Sequence, residues 1–473
     1  MRSPFRPNSD RGVPVYRQVA DFIRGEILCG RYPRGSRLPA TRKLAEEFGL
    51  NRATILAAFA LLEQQRLIRS YVGRGSFVVG EPRELQGSGA AAETISFAAG
   101  RVRDDLLPLD AFRLTVDEVL AQDDLSALLQ LGSSYGYAPL RRYLLEQARQ
   151  AGVAGAEDDV LITSGCQQAL DLLQRTLVRP GDAVAVEDPV YPGLKRVFEA
   201  AGARLIGIPV HRGGLALDQL ERALERERPR LVIVTPSFQN PTGVSLSRED
   251  RVRLVDLVLG RGVILVENDT YAGLRYRGEE PPGLKATGGA DVVLLRTFSK
   301  VSFPGMRVGW VIGPRPLLAR LAEAKRNSDL HTDNLSQAVL WRFAESGRLG
   351  AHLERLRGAG SEQLSALLNG LKKHMPEGAR WTEPEGGMNV WVWLPDGVDA
   401  AAAAERAARE GVSFLHGRHF EVTHSAAGAL RLSFTGLQLE EIRVGVEILG
   451  QVFKQEAARA TSTRMLDPSP ILV

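Results

Sequence analysis

Between Val160 and Ile312 the chain repeats one pattern, a short apolar run followed by a stretch with helical spacing. The runs are Val160–Thr163, Ala183–Glu187, Leu205–Ile208, Leu231–Thr235, Val263–Glu267, Val292–Thr297 and Val308–Ile312. They are short enough for strands and too continuously apolar for strands with one wet face, which predicts a mostly parallel sheet covered by helices on both faces. Such sheets place ligand chemistry just beyond their carboxyl ends. The residues that follow each run therefore matter most.

After Val292–Leu295 comes Thr297-Phe-Ser-Lys300, continued to Arg307 and Trp310. A lysine at a strand end is badly placed for packing. With Thr297, Ser299 and Arg307 able to hold a phosphate, its amine is placed to attack an aldehyde, which suits a Schiff-base lysine; a solvated loop lysine is the plainer alternative. The first run leads into Ser164-Gly165-Cys166-Gln167-Gln168 and a helix, a small-residue turn whose N–H groups suit a phosphate. The second leads to Asp188-Pro-Val-Tyr191, where an aromatic either stacks on a planar ring or fills the core. Asn240, on the Pro-bounded loop from Thr235 to Gly243, offers a fixed amide to a phenolate-like oxygen. The fifth run ends Glu267-Asn268-Asp269-Thr270-Tyr271.

At 473 residues the chain exceeds one ordinary domain, and its 44% hydrophobic and 25% charged residues are those of a soluble globular protein. No apolar run reaches membrane-spanning length and the start lacks a signal-peptide core, so a cytoplasmic protein without membrane partners is expected. Two cysteines, Cys29 and Cys166, exclude a disulfide framework, and no metal site is expected. The net charge of +4 hides an asymmetry: residues 1–80 carry 14 Lys+Arg against 6 Asp+Glu, and the remainder 46 against 50. A basic small domain is the footprint of nucleic-acid binding; a solvated basic face is the bland alternative.

Within that basic segment Val15, Val19, Phe22, Ile23 and Ile27 have the spacing of an amphipathic helix ended by Gly30. A short helix carrying Leu44, Ala45 and Phe48, the turn Gly49-Leu-Asn51, and a third helix with Ile55, Ala58, Phe59 and Leu62 inside follow. This is helix-turn-helix spacing, and Asn51, Arg52 and Thr54 open the helix that enters the major groove. Tyr71 to Val79 reads as a hairpin with Arg74 at its Gly-Arg-Gly tip. Residues 14–79, with Leu38-Pro-Ala-Thr-Arg42, Asn51-Arg-Ala-Thr54 and Gly73-Arg-Gly-Ser-Phe77, resemble the winged helix of GntR-type regulators. The resemblance implies Arg42, Arg52, Thr54 and Arg74 as DNA contacts, with Asn51 beside them. Residues 81–94 read as a linker.

Residues 95–456, through the ordered set ending in Lys300, resemble fold-type I pyridoxal-phosphate enzymes of the class I/II aminotransferase group. The implied architecture is a large domain over about 95–325 and a smaller α+β domain over 330–456, with 457–473 as a loose tail. By this resemblance Lys300 is the internal-aldimine lysine and Tyr191 the ring-stacking aromatic. Asn240 and Tyr271 bind the ring oxygen, and Gly165, Cys166, Gln167, Thr297, Ser299 and Arg307 hold the phosphate. Arg431, in Leu430-Arg-Leu-Ser-Phe434, takes a substrate or effector carboxylate as a bidentate pair.

Two positions depart from the family pattern. Asn268 stands where an aspartate pairs with the pyridine nitrogen; Asp269 is adjacent, and relatives with a shorter Asp-to-Tyr spacing would align it instead. An amide cannot hold the ring proton electrostatically, so the expectation is a site that forms aldimines yet abstracts α-protons poorly. Leu131 stands where relatives carry a tyrosine that reaches the partner subunit's phosphate, and Tyr135 has the wrong spacing to replace it. A winged-helix head on an aminotransferase-like body is the plan of MocR-type regulators. The resemblance implies a homodimer on operator DNA that senses pyridoxal phosphate or an amine through Lys300. The alternatives are a working aminotransferase with a retained head, and a scaffold without cofactor.

Overall fold

In the computed structural model, which describes residues 14–28, 32, 35–64, 67–71, 75–78 and 94–466, the stripe read from Val15 folds as helix α1 (Val15–Leu28). It turns Val19, Ile23 and Ile27 inward. Helix α2 (Thr41–Phe48) ends at Gly49, whose left-handed φ of 65° tolerates no Cβ easily. Helix α3 (Arg52–Gln64) then buries Ile55, Ala58 and Leu62, and Phe22 meets Phe48 edge-on at 5.6 Å. Strands β1 (Ile68–Tyr71) and β2 (Gly75–Val78) form the expected hairpin. The segment 35–38 also lies along β2, with Gly35 N–H donating to Val78 O (2.8 Å) and Leu38 N–H to Ser76 O (2.9 Å). The sequence there reads as a loop, since it has no alternating apolar residues. Gly30, Arg74 and residues 81–93 of the linker lie outside the described residues.

This head belongs to one compact unit, Met1–Ala91, and the rest to a second, Ala92–Val473. The second unit carries β3 (Ile95–Ser96), β4 (Asp158–Thr163), β5 (Ala183–Asp188), β6 (Arg204–His211), β7 (Gly214–Leu215), β8 (Leu231–Val234), β9 (Ile264–Asn268), β10 (Val292–Thr297) and β11 (Gly309–Pro314). From β4 to β11 these form one eight-stranded sheet in the order β4-β11-β10-β9-β8-β5-β6-β7. Strands β6, β5, β8, β9 and β10 are parallel, while β11 is antiparallel to both its neighbours. The reversal follows from loop length: the segment from Phe298 to Val308 is too short for a crossover helix, so the chain must return antiparallel. One face packs Val184, Val186, Val266 and Leu295 against helix Cys166–Leu177; the other packs Ala185, Val232 and Leu265 against helices Leu217–Glu227 and Arg248–Val258.

The smaller domain holds β12 (Arg380–Trp381), β13 (Asn389–Trp393), β14 (Val412–Ser413), β15 (Leu415–His416) and β16 (Ala429–Ser433). Four of these form an antiparallel sheet, β12-β13-β16-β15, covered by helices Arg348–His374, Ala400–Arg409 and Leu439–Leu466. Two boundaries differ from the sequence reading. Strand β3 pairs with β14, and Phe97 lies in the small-domain core, so the chain starts there before entering the large domain. The last helix runs to Leu466 rather than loosening at 457, and Ala457 and Ala460 still pack on the small-domain core; residues 467–473 lie outside the described residues. Among the described residues no helix is long and apolar enough to cross a membrane.

Candidate functional site

The loop after β10 folds back on itself. Pro304–Met306 makes a single 3₁₀ turn and Arg307 adopts a left-handed φ of 54°, which returns its guanidinium to the strand end. Nη1 donates to Ser299 Oγ (3.3 Å) and Nη2 to the Ser164 carbonyl (3.2 Å). Thr297 Oγ1 donates to Ser299 Oγ at 3.0 Å. Gly165, at φ 83°, precedes helix Cys166–Leu177, and a Cβ there would stand 2.6 Å from Arg307 Nη2. Two hydroxyls, a guanidinium and the unfilled N–H groups of a helix start thus converge on one spot. Behind it, Gln168 accepts from Ser164 N–H (2.8 Å) and from the buried Lys325 (3.1 Å), which is also tied to Asp329 (2.7 Å). Gln167 Nε2 donates to Gly193 O (3.0 Å), joining this turn to the loop of Tyr191, which is 39% exposed.

Lys300 Nζ donates to the Gly100 carbonyl at 3.0 Å. Burial first, then the positive charges of Arg431 and Arg307, bring its amine down to about 8. Arg431, on β16, donates through Nη1 to Asn240 Oδ1 (3.0 Å) and through Nη2 to the Ala98 carbonyl; its guanidinium lies 5.1 Å from the Phe420 ring centroid, and its buried Nε has no partner. Tyr271 is buried, and its hydroxyl accepts from Asn389 Nδ2 at 3.4 Å.

Asn268 and Asp269 part company at the end of β9. Asn268 shares the face of Val266, which packs with Leu295 and the helix that starts at Cys166. Its Nδ2 donates to Thr235 Oγ1 (3.3 Å) and its Oδ1 is buried without a partner. The Asp269 carboxylate is held by Arg296 Nε (2.9 Å) and Nη2 (2.8 Å). An unpartnered acceptor on the site side of the strand, a glycine turn so close to Arg307 that it leaves no room for a Cβ, and a lowered amine together fit pyridoxal phosphate.

Elsewhere the structure adds to the reading. Asn51 Oδ1 accepts from the N–H (2.8 Å) and hydroxyl (2.9 Å) of Thr54, so both side chains start helix α3, a capping role the sequence reading did not assign. Arg42 and Arg52 are exposed on the head. Leu131 is 80% exposed, and Tyr135 is covered by Arg141 at 5.0 Å. Gly100, Ala98, Phe420, Asn389 and Lys325 were missed. The first two act through backbone carbonyls, which leave no side-chain signature; Asn389, a lone amide heading an apolar strand, is the one signal a sequence could offer.

Residues 92–449 match the family model of aminotransferase class I and II, and residues 15–78 that of bacterial regulatory proteins of the gntR family. Aromatic-amino-acid aminotransferase 1 of Thermococcus litoralis is 35% identical over 383 residues, 80% of this chain and 92% of that protein. The crystal structure of LysN, the alpha-aminoadipate aminotransferase of Thermus thermophilus complexed with N-(5'-phosphopyridoxyl)-L-leucine, superposes with a TM-score of 0.73 at 36% identity, covering 78% of this chain and 94% of that one. The probable rhizopine catabolism regulatory protein MocR of Rhizobium meliloti is 29% identical over 471 residues, 94% of each chain, so its similarity spans head and body together. The chain belongs to the class I and II aminotransferase family, whose cofactor is pyridoxal phosphate, and carries a GntR-type head in the arrangement of MocR-type regulators.

Proposed function

We propose that this protein is a cytoplasmic, homodimeric transcriptional regulator that binds operator DNA through its winged-helix heads and responds to pyridoxal phosphate, or to an amine or amino acid captured with it. Bound in the body, the cofactor supplies an aldehyde that combines with primary amines and a ring that absorbs negative charge. Gly165, Cys166, Gln167, Thr297, Ser299 and Arg307 would hold its phosphate, and Tyr191 would cover the ring. Asn240 and Tyr271 would face the ring oxygen. Lys300, with its amine near 8, supplies the attacking lone pair at mildly basic pH. Arg431 takes the carboxylate of an amino-acid effector.

The observation that carries the reading is the neutral, unpartnered Oδ1 of Asn268 beside an Asp269 committed to Arg296. An amide accepts a hydrogen bond but does not hold a ring proton by charge, so amine capture stays available while carbanion stabilisation is weak. That balance suits a sensor. A near-complete switch needs a ligand with about 5 kcal/mol of preference for one arrangement of the heads, and paired heads read half-sites separated by whole helical turns.

The test is fluorescence anisotropy on the protein's own upstream DNA, with and without pyridoxal phosphate, for wild type and Lys300→Ala. Salt-sensitive binding that shifts with cofactor only when Lys300 is present supports the sensor. Cofactor-indifferent binding refutes it. The similarity to enzymes at 35% and 36% identity favours a second reading, an aminotransferase with a retained DNA-binding head; rapid amino-group transfer to a keto acid by the purified protein would establish it.

A further inference from the structure

Asn389 lies at the first position of β13, directly opposite Ser433 of β16, and both residues are fully buried. Ser433 Oγ donates to Asn389 Oδ1 at 2.7 Å, a distance typical of a hydroxyl bonded to oxygen, which leaves the amide NH₂ of Asn389 facing the Tyr271 hydroxyl at 3.4 Å. Two residues before Ser433 on β16, Arg431 reaches Asn240 and Ala98. The loop bearing Asn240 rests on the same sheet: a Cβ on Gly243 would stand 2.3 Å from the Asn389 carbonyl, and Thr382, just beyond β12, donates through Oγ1 to Thr242 O at 2.7 Å. Gly100, which accepts from Lys300, has its Cα close to Asn389 Oδ1, a Cβ there standing 3.7 Å away. Asn389 is thus a small-domain side chain that touches the phenol of Tyr271, which also meets Asn240 from the large domain.

We infer that Asn389 is a positioning residue: by donating to the Tyr271 oxygen it turns the phenolic hydrogen away from the small domain and toward the ring oxygen of bound cofactor, and it ties the phenol oxygen to the strand pair carrying Arg431. The inference rests on the cofactor reading above. With the amide on one lone pair, the phenol acts as a donor in the opposite direction.

Variants of the full-length protein test this: Asn389→Leu, Asn389→Asp, and each of them combined with Tyr271→Phe. The readouts are the pH midpoint of the bound cofactor's visible absorption and the cofactor Kd, with circular dichroism checking the fold. Asn389→Leu removes the donor and is expected to move the midpoint and weaken the cofactor about five-fold, the size of one hydrogen bond. Asn389→Asp keeps an acceptor for Ser433 but invites the phenol to donate into it, so its midpoint shift is expected to be at least as large. Both shifts should vanish in the Tyr271→Phe background. An Asn389→Asp variant that titrates like wild type, or shifts that persist without the phenol, would reduce Asn389 to a packing residue and overturn the inference. Wild type that takes up no cofactor would overturn the cofactor reading itself, and this inference with it.

Discussion

The substitution Lys300→Met should stabilise the cofactor-free body. In the folded protein the amine is lowered from 10.5 to about 8, chiefly by burial. The folded state therefore disfavours the proton that the unfolded chain retains, which costs about 3 kcal/mol near pH 7 at about 1.4 kcal/mol per unit. Methionine removes that cost and fills similar space, but it also removes the hydrogen bond to the Gly100 carbonyl, worth about 1 kcal/mol. The net expectation is a gain of about 2 kcal/mol near pH 7. The sign with pH follows from the direction of the shift: a lysine with a lowered folded pKa destabilises fully below about 8, and the penalty fades as pH rises toward the unfolded value of 10.5. The advantage of the variant should shrink over that window. Isothermal denaturation followed by tryptophan fluorescence isolates the effect, because Trp310, Trp341, Trp381, Trp391 and Trp393 all lie in the second unit. A variant less stable than wild type near pH 7, or a difference that does not change between about pH 8 and 10.5, would refute the account of the lysine's surroundings.

Asn268→Asp should supply the missing ring-nitrogen carboxylate and raise the single-turnover rate of amino-group transfer by about ten-fold or more, about 1.4 kcal/mol of barrier; an unchanged rate counts against Asn268 as the limiting residue. Gly165→Ala strains a φ of 83° and pushes a methyl to 2.6 Å from Arg307 Nη2, so the cofactor Kd should rise about ten-fold with the far-UV spectrum unchanged, and unaltered affinity would place the phosphate elsewhere. Arg52→Ala should weaken DNA binding and lower the slope of log affinity against log salt by about one, leaving the cofactor Kd untouched; an unchanged slope would remove Arg52 from the phosphate contacts.

What the sequence made legible, and what it hid, divides along a physical line. Strand ends were readable because short apolar runs can be counted, and once they are in place the next few residues have only one side of the sheet to occupy. Lys300, Thr297, Ser299, Arg307 and the Gly165 turn were found in this way, and the fold gathers the hydroxyls and Arg307 against the Gly165 turn. The antiparallel course of β11 was also implicit, since the Lys300 loop is too short for a crossover. Contacts made across long chain separations left no such trace. Ala98 and Gly100 approach Arg431 and Lys300 because β3 pairs with β14, far along the chain, and their carbonyls carry no residue-specific signal. The segment 35–38, which bridges to β2 at Arg37, was hidden for a different reason: its Gly, Ser, Arg and Leu residues lack the period of two.

The pair Asn268 and Asp269 shows where periodicity decides chemistry. Adjacent residues at a strand end face opposite sides, so one of them addresses the site and the other does not. What selects between them is the partner waiting on the far side. Arg296, next to Leu295 on β10, holds Asp269 through two nitrogens, and the Asp269 N–H donates to the Leu295 carbonyl at 2.9 Å. A shift that carried Asp269 into the site would break this ladder bond and leave Arg296 without its carboxylate, at a cost of several kcal/mol for a largely buried pair. The register that keeps β9 and β10 together is thus the same interaction that leaves a neutral amide where a carboxylate would favour catalysis. On the proposed reading weak transamination would be a property of the sheet, and strengthening it would require changing residue 268 rather than moving the backbone.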